Sequence, residues 1–172
     1  MRCPGMVPRE EGQPQAVSGC SQREQQMRNF QLVLVCLALS MPVIAIAGPV
    51  EEANAVVDHW ATTFSANDPD ELTKVYWPDA IVFGTNSPAM FEGTDAILKF
   101  FSRLKGSGFK NVIGERRTIV LSDDAVVVAG FYDSSLLQDG KPVTTPARFS
   151  MVIVRREGVW RIAHHHSSPQ PK

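Results

Sequence analysis

Apolar residues recur at helical spacing in three stretches of the chain between residues 50 and 104. The first stretch, from Val50 to Phe64, carries apolar side chains three or four positions apart with acidic residues between them, which predicts an amphipathic helix. The second stretch follows Asp68 and Pro69, residue types that suit the cap and first turn of a short helix. The third stretch begins near Thr94. Three helices are therefore predicted in this part of the chain.

After residue 110 the pattern changes to long extended runs separated by short polar turns. The turns are rich in aspartate, glycine and serine, as in β-hairpins, and short hairpin connections make neighbouring strands antiparallel. A shorter strand is expected earlier, at residues 80–83. The predicted fold class is α+β, with three N-terminal helices packed on a curved, mostly antiparallel sheet that forms a cone with an internal pocket. The four long runs are 112–121, 125–136, 143–155 and 159–167.

A separate apolar run, from Phe30 to Ala47, lies outside these patterns. It follows Arg28 and ends in a small-residue A-x-A sequence, which is typical of a secretory signal peptide cleaved before Gly48. An uncleaved membrane anchor is the alternative, since the run is barely long enough to span a bilayer. We expect cleavage, export to the periplasm or the extracellular space, and no stable membrane insertion afterwards.

The expected domain organisation follows from this run. Residues 27–47 form the predicted signal peptide, and residues 48–172 form one globular domain. Met27 is a natural start for a bacterial signal peptide. Residues 1–26 have no apolar periodicity and are expected to be disordered or to precede the true start of translation.

Composition and charge exclude some classes of function. The formal net charge is −1, so no electrostatic nucleic-acid binder is expected. The three cysteines, Cys3, Cys20 and Cys36, all precede Gly48. The predicted domain therefore has no disulfide and no thiolate chemistry, and its stability must come from core burial.

The closing stretch of the chain carries three of its four histidines. It reads V-W-R-I-A-H-H-H-S-S-P from Val159 to Pro169 and has the pattern of a final β-strand. Because side chains alternate between the two faces of a strand, His165 and Ser167 are predicted to share one face with Arg161 and Ala163. The opposite face is then predicted to carry Trp160, Ile162, His164 and His166.

Three segments of the chain carry a family resemblance: N-D-P-D-E-L-T-K-V-Y-W-P-D-A-I-V-F (67–83), M-F-E-G-T-D-A-I-L-K-F-F (90–101) and R-R-E-G-V-W-R-I-A-H-H-H-S-S (155–168). They resemble the nuclear transport factor 2-like superfamily, also called SnoaL-like, which includes ketosteroid isomerase. Within the superfamily they are most like the association (hub) domain of calcium/calmodulin-dependent protein kinase II and its free-standing bacterial relatives. The terminal W-x-x-x-H-x-H-x-S pattern also looks like the bacterial SgcJ/EcaC-type proteins, which carry an oxidoreductase label.

The resemblance implies the cone-shaped fold, but it does not carry over the ligand of the kinase hub. Hub relatives hold an acidic small molecule with arginines and a histidine. The corresponding positions here are Ile97, Phe131, Met151 and Ser167, and none of them is a cation. The chain is thus expected to keep the scaffold without the carboxylate clamp. Because it has no kinase domain, kinase regulation and calmodulin binding are not expected.

Strand alternation also predicts which residues face the pocket. The inward face is expected to be mostly apolar, with Asp133, His165 and Ser167 near the mouth, and a flat apolar ligand fixed by a few polar groups would suit it. The other predicted lining residues are Phe131, Phe149, Met151 and Ile153 on the strands, Ile97 on the third helix, and Trp60, Tyr76 and Phe83 on the opposite side.

The histidines and Asp133 leave several chemical roles open. His165 is a candidate acid, base or hydrogen-bond donor, and Asp133 is a candidate base if apolar walls desolvate it. The alternatives are structural hydrogen bonds for the histidines and a solvated strand-end position for Asp133. His164 and His166 could chelate a metal, but the sequence shows no third ligand, so no metal or other cofactor is expected.

These observations predict an exported, oligomeric small-ligand binding module, at least a dimer through its sheet, that resembles the kinase association domain without the kinase. One alternative is a SnoaL-like enzyme, an isomerase, cyclase or hydrolase acting on an apolar substrate in the cone. The other alternative is a purely structural oligomerisation domain. Its expected partners are copies of itself and a small apolar ligand.

Overall fold

The structure, a computed structural model, describes residues 47–171. The predicted signal peptide and the segment before Met27 lie outside the described residues. Within residues 47–171, no helix combines the length and apolar character needed to cross a bilayer.

Within residues 47–171, three α-helices precede the long strands, as predicted. They are α1 (Pro49–Ala66), α2 (Pro69–Thr73) and α3 (Thr94–Phe101), and α3 continues into a 3₁₀ turn at Ser102–Leu104. The start of α2 follows the sequence expectation, because the Asp68 carboxylate accepts hydrogen bonds from the backbone N–H groups of Asp70 and Glu71 at 3.1 and 3.0 Å.

Six strands form one open sheet on which the helices pack. Its order is β2-β1-β6-β5-β4-β3, and every neighbouring pair is antiparallel except the parallel pair β1 and β6. The predicted α+β class with a mostly antiparallel sheet is confirmed. The strands are β1 (Tyr76–Phe83), β2 (Met90–Glu92), β3 (Lys110–Ser122), β4 (Ala125–Gln138), β5 (Lys141–Arg156) and β6 (Val159–Pro169).

The first strand begins four residues earlier than its apolar run indicates. Tyr76 pairs with Ile162 of β6, and the register then shifts before Ile81 pairs with His164. Pro78 lies inside this irregular segment, where a missing backbone N–H interrupts no regular ladder. With this irregular register, Tyr76 belongs to the sheet and its side chain is only 2% exposed.

A β-bulge in β6 overturns the predicted alternation around the three histidines. Ile162 pairs with Ile153 and His164 with Val152, so Ala163 is the extra residue. Ile162 and His165 are both buried, at 0% and 2% exposure. The prediction that Ile162 lies on the face opposite His165 is therefore wrong, whereas His165 and Ser167 do share the buried face.

The predicted faces of β4 are also wrong. Tyr132 pairs with Ala147, and both side chains are buried at 5% and 1% exposure. Phe131 is 44% exposed, and Asp133 is exposed as well. The register with β5 decides this, because the inward residues of β4 must oppose the inward residues of its partner. Phe131 and Asp133 therefore lie on the outer face of the sheet, away from the helices.

Candidate functional site

A cavity of about 180 Å³ lies between the helices and the inner face of the sheet. Its walls come from α1, α3 and the 3₁₀ turn on one side and from β4, β5 and β6 on the other. Aromatic side chains supply much of the surface. An apolar cavity of about 150 Å³ holds benzene, so this cavity has room for a molecule with a single ring. The aromatic lining residues are Trp60, Phe64, Phe100, Phe101, Phe109 and Tyr132.

A buried hydrogen-bond chain runs from α1 through β1 to β6 beside this cavity. The indole Nε1–H of Trp60 donates to the Tyr76 hydroxyl oxygen at 2.7 Å. The same hydroxyl lies 2.9 Å from Nδ1 of His165. All three side chains are at most 2% exposed, so each hydrogen bond forms away from water.

The direction of this chain fixes the proton on the histidine. Trp60 is a donor only, so Tyr76 accepts its hydrogen bond and has its own hydroxyl proton left to donate. The acceptor within reach is His165 Nδ1. The neutral ring then carries its proton on Nε2. That buried nitrogen has no hydrogen-bond partner among the described residues, and the His165 ring lines the cavity.

Burial keeps His165 uncharged. Desolvation, reinforced by the neighbouring His164 and His166, lowers its pKa to about 3. Burial also raises the pKa of Tyr76 well above its ordinary value. At neutral pH His165 is therefore a neutral lining residue that carries a buried N–H donor.

A second set of polar groups consists of hydroxyls. Thr85 Oγ1 lies 2.9 Å from the Tyr132 hydroxyl and 2.8 Å from Ser167 Oγ, and all three residues line the cavity. The residue before Thr85 is Gly84, and the backbone there passes close to Phe100. A Cβ at this position would lie 2.2 Å from the Phe100 ring, so the close approach requires a glycine. Gly84 thus allows the Phe100 ring and the Thr85 hydroxyl to line the same cavity.

Among residues 47–171, the cavity lining contains one lysine or arginine side chain and no carboxylate. Arg103, in the 3₁₀ turn, is exposed and lines the cavity where it reaches solvent. Its guanidinium carbon lies 4.5 Å from the centre of the Phe100 ring. The mouth is therefore cationic, whereas the interior is neutral.

The structure brings some of the predicted pocket residues together and separates others. Trp60, His165 and Ser167 line the cavity, and Tyr76 lies behind His165 through its hydrogen bond. Ile97, Met151, Ile153 and Phe149 are buried in the core beside the cavity and are not among its lining residues.

Phe83 does not close the pocket as predicted. Its ring lies 6.1 Å from that of His164 and 5.9 Å from that of His166, on the outer face of the sheet. Phe131 and Asp133 are on that outer face too, so Asp133 cannot act as a base for a ligand in the cavity. Within residues 47–171 no group of three or more metal-ligating side chains comes together, and the His164–His166 pair stands without a third ligand there.

Sequence reasoning missed Thr85, Phe100, Arg103 and Tyr132. The sequence of β4 does not select Tyr132 over Phe131, because Val126, Val128 and Tyr132 alternate as regularly as Val127, Ala129 and Phe131, and only the register with β5 decides between them. Arg103 carried no signal, because its position at the cavity mouth depends on how the 3₁₀ turn leaves α3.

Comparison with known proteins assigns the family. The SnoaL-like domain family model matches residues 53–171, which is more than half of the chain, and the protein therefore belongs to the SnoaL-like domain family. No protein of curated function matches the chain significantly.

Solved structures agree with this fold. A protein from Xanthomonas campestris, named as a candidate calcium/calmodulin-dependent protein kinase II association domain, is 30% identical, with a TM-score of 0.67 over 74% of this chain and 94% of its own. The hub homology domain from Chlamydomonas reinhardtii is 20% identical, with a TM-score of 0.61 over 70% of this chain and 97% of its own. A candidate scytalone dehydratase from Novosphingobium aromaticivorans is 14% identical, with a TM-score of 0.62 over 70% of this chain and 83% of its own. The last two show similarity of fold alone.

Removing the central hydroxyl of the buried chain should destabilise the fold. In Tyr76→Phe, both Trp60 Nε1–H and His165 Nδ1 lose their partner, and an unpaired buried polar group costs about 1–3 kcal/mol. We expect the free energy of unfolding in urea to fall by roughly 2–5 kcal/mol. The control Tyr132→Phe removes a hydroxyl that borders the cavity, where water can replace it, and should cost about 1 kcal/mol. Equal losses of unfolding free energy in the two variants would contradict a special role of the Tyr76 hydroxyl in pairing the buried groups of Trp60 and His165.

The lowered pKa of His165 predicts a specific pH dependence of stability. Below pH 6.5 the unfolded chain takes up a proton at this residue, whereas the folded chain does so only near its pKa of about 3. Falling pH therefore favours the unfolded state across this window, by up to about 1.4 kcal/mol per pH unit.

The measurement is the free energy of unfolding from pH 7 down to the acid transition for wild type, His165→Gln and His166→Gln. The first variant should lose stability less steeply than wild type. The second should stay closer to wild type, because burial is a larger cause of the lowered His165 pKa than the charge of His166. His164, whose pKa is lowered by burial and by His166, remains in both variants and contributes to both curves. Parallel curves for His165→Gln and wild type would show that this ring is not buried in the neutral form.

Proposed function

We propose that this protein is a small-ligand binding module of the SnoaL-like family. Its ligand is a compact molecule with an apolar ring and a hydrogen-bond acceptor that meets His165 Nε2–H. The observation that carries the proposal is this N–H donor, which is buried, has no partner among the described residues and belongs to a ring lining the cavity.

The energetics favour a ligand acceptor at this position. A buried donor left without a partner costs about 1–3 kcal/mol, and a carbonyl or comparable oxygen in the cavity removes that cost. The chain through Tyr76 and Trp60 holds the ring in one orientation and one tautomer before any ligand arrives. Such preorganisation reduces the entropy lost on binding.

The shape of the cavity restricts the rest of the ligand. Trp60, Phe64 and Phe101 present aromatic surface, which suits a flat apolar body. The hydroxyls of Thr85, Tyr132 and Ser167 add neutral polar contacts along one side. These features support a ligand with one ring and few polar atoms.

An enzymatic role has weaker support than binding. The part of the lining that the structure describes contains no carboxylate that could act as a base. His165 Nδ1 already accepts the hydrogen bond of the Tyr76 hydroxyl, so it is not free to take a proton from a ligand. The neighbour named as a candidate dehydratase shares only the fold. A purely structural role gives no reason for an unpaired donor beside a cavity, so binding is the better account.

The binding proposal is tested with two neutral probes of the same shape, acetophenone and α-methylstyrene. They differ in that the first has a carbonyl oxygen and the second a methylene carbon. The expected result is that His165→Phe lowers the preference for acetophenone about tenfold, because the buried hydrogen bond is lost.

The readout is the ratio of the two dissociation constants, from ligand-observed NMR titrations. His166→Phe is the matched control, since that side chain is exposed on the outer face, and it should leave the ratio unchanged. An unchanged ratio in His165→Phe would remove this residue from the binding site. Absence of binding by both probes to the folded wild type would contradict a site of this size and polarity.

We also propose that the mature protein is exported and self-associates through the outer face of its sheet. Support for export is the apolar run with its A-x-A ending before Gly48. Support for self-association is the half-exposed apolar surface of that outer face, which includes Ile81, Phe83, Phe131 and Val152.

Native mass spectrometry of the protein purified from its own host reports both properties. We expect a subunit mass that begins at Gly48 and an assembly of at least two subunits. The variant Phe131→Glu should shift the assembly toward monomer, whereas Val50→Glu, which alters an exposed residue of α1 rather than of the outer face, should not. A wild-type monomer would contradict self-association, and a subunit that retains the apolar run would contradict cleavage.

A further inference from the structure

We propose that His164 and His166 form half of a zinc site, which the same two histidines of a second copy complete across the outer face of the sheet. This inference rests on the proposed self-association and adds a metal and its ligands to that interface. It is independent of the cavity and of any molecule bound there.

His164 and His166 lie close together on β6. They are two residues apart on one face of the strand, and the centres of their rings lie 6.1 and 5.9 Å from the centre of the Phe83 ring. Burial and the neighbouring His166 both lower the pKa of His164, so the two imidazoles are also within electrostatic range of each other. Two imidazoles in this arrangement can bind one metal ion together.

The pair is separate from the other histidines and from the ion pairs of the described residues. His165 is buried on the inner face of the sheet, and His59 is exposed on α1. The ion pairs among residues 47–171 join carboxylates to lysine or arginine side chains, and none of them involves a histidine. In that part of the chain, no carboxylate therefore competes with a metal for either ring.

The chemistry of the pair favours zinc and requires more ligands than one copy offers. Imidazole suits zinc and similar transition metals, whereas calcium and magnesium prefer oxygen ligands. A closed zinc site has four ligands in a tetrahedron, and this pair supplies two of them. Within residues 47–171 no group of three or more metal-ligating side chains comes together, so the described part of one copy provides half of the ligand set.

The position of the pair on the sheet is suited to a second copy. The helices pack on the inner face, so the outer face is the one that another copy can approach. β6 is the third of six strands, which places the pair in the middle of this face rather than at an edge. In a dimer with a two-fold axis, residues near the axis face their own copies. An axis near the pair would therefore bring four imidazoles together.

Apolar residues flank the pair on both sides. Ile81 of β1 and Val152 of β5 pair with His164, and Phe83 of β1 pairs with His166. These three apolar side chains are half-exposed in one copy, and contact between two outer faces would bury them. An apolar surround of this kind limits the access of water to a metal and its ligands.

Zinc also offsets the cost of burying two histidines in such an interface. A ring nitrogen that is buried without a partner destabilises the interface, and zinc would take one nitrogen from each of the four rings. Because zinc would then bind two associated copies more tightly than one free copy, it would also strengthen their association.

The probe is zinc chloride, added to the protein purified from its own host and freed of metal with EDTA. Sedimentation equilibrium gives the dissociation constant of the assembly with and without zinc, and isothermal titration calorimetry gives the number of zinc ions per subunit. We expect one zinc ion per two subunits and a dissociation constant at least about tenfold lower in zinc. Cobalt(II) in place of zinc should give the intense visible absorption of a tetrahedral site.

Matched variants assign the zinc effect to the pair. His164→Gln and His166→Gln should each remove it, because one histidine per copy leaves only two protein ligands. His59→Gln is the control, since it replaces an exposed histidine of α1, and it should respond to zinc as wild type does. Phe131→Glu keeps both histidines but opposes association, so it should also weaken zinc binding. The assembly of each variant is measured in EDTA as well, which separates loss of the metal from loss of the interface.

The possible failures are distinguishable. Self-association that zinc leaves unchanged would overturn the shared site and leave the interface intact. One zinc ion per subunit, without stronger association, would overturn the contribution of the second copy. A zinc effect that survives His166→Gln would overturn the assignment to this pair. A protein that is monomeric with and without zinc would overturn the proposed self-association and the zinc site with it.

Discussion

The hydrogen-bond chain from Trp60 through Tyr76 to His165 is the constraint on which the rest of the site depends. It joins one helix to two strands, each of which would otherwise bury an unpaired polar group. It also has only one consistent arrangement of protons, because the indole can only donate. The interior of the protein thereby acquires a histidine whose orientation, tautomer and charge are set by packing, with one buried N–H group that has no partner among the described residues.

Much of the fold could be predicted from the sequence because burial imposes periods that are visible in it. Helical spacing identified α1, and the capping function of Asp68 was readable from residue types alone. The failures occur where the backbone departs from a regular period. The first strand is predicted only from residue 80 because the irregular start of β1 at Tyr76 has no apolar alternation, and the β-bulge at Ala163 breaks the alternation of β6.

The site was less predictable than the fold, since it depends on register and on the path of a single turn. The inward direction of His165 and Ser167 followed from alternation within β6. The choice between Phe131 and Tyr132 did not, because either parity of β4 is compatible with its own sequence and only pairing with β5 selects one. Arg103 reaches the mouth through a turn of three residues, too short for any period to be read.

The bulge in β6 determines which of the three histidines faces the interior of the protein. A strand that lost its extra residue from the bulge, by pairing Ala163 regularly, would exchange its two faces from that point onward. His164 and His166 would then turn inward and His165 outward. Histidine occupies three consecutive positions, so an imidazole faces the interior in both arrangements. A shift in the register of β6 would therefore still place a histidine on the buried face. The same holds for Ser167, because its outward neighbour Ser168 would turn inward and keep a hydroxyl on the buried face.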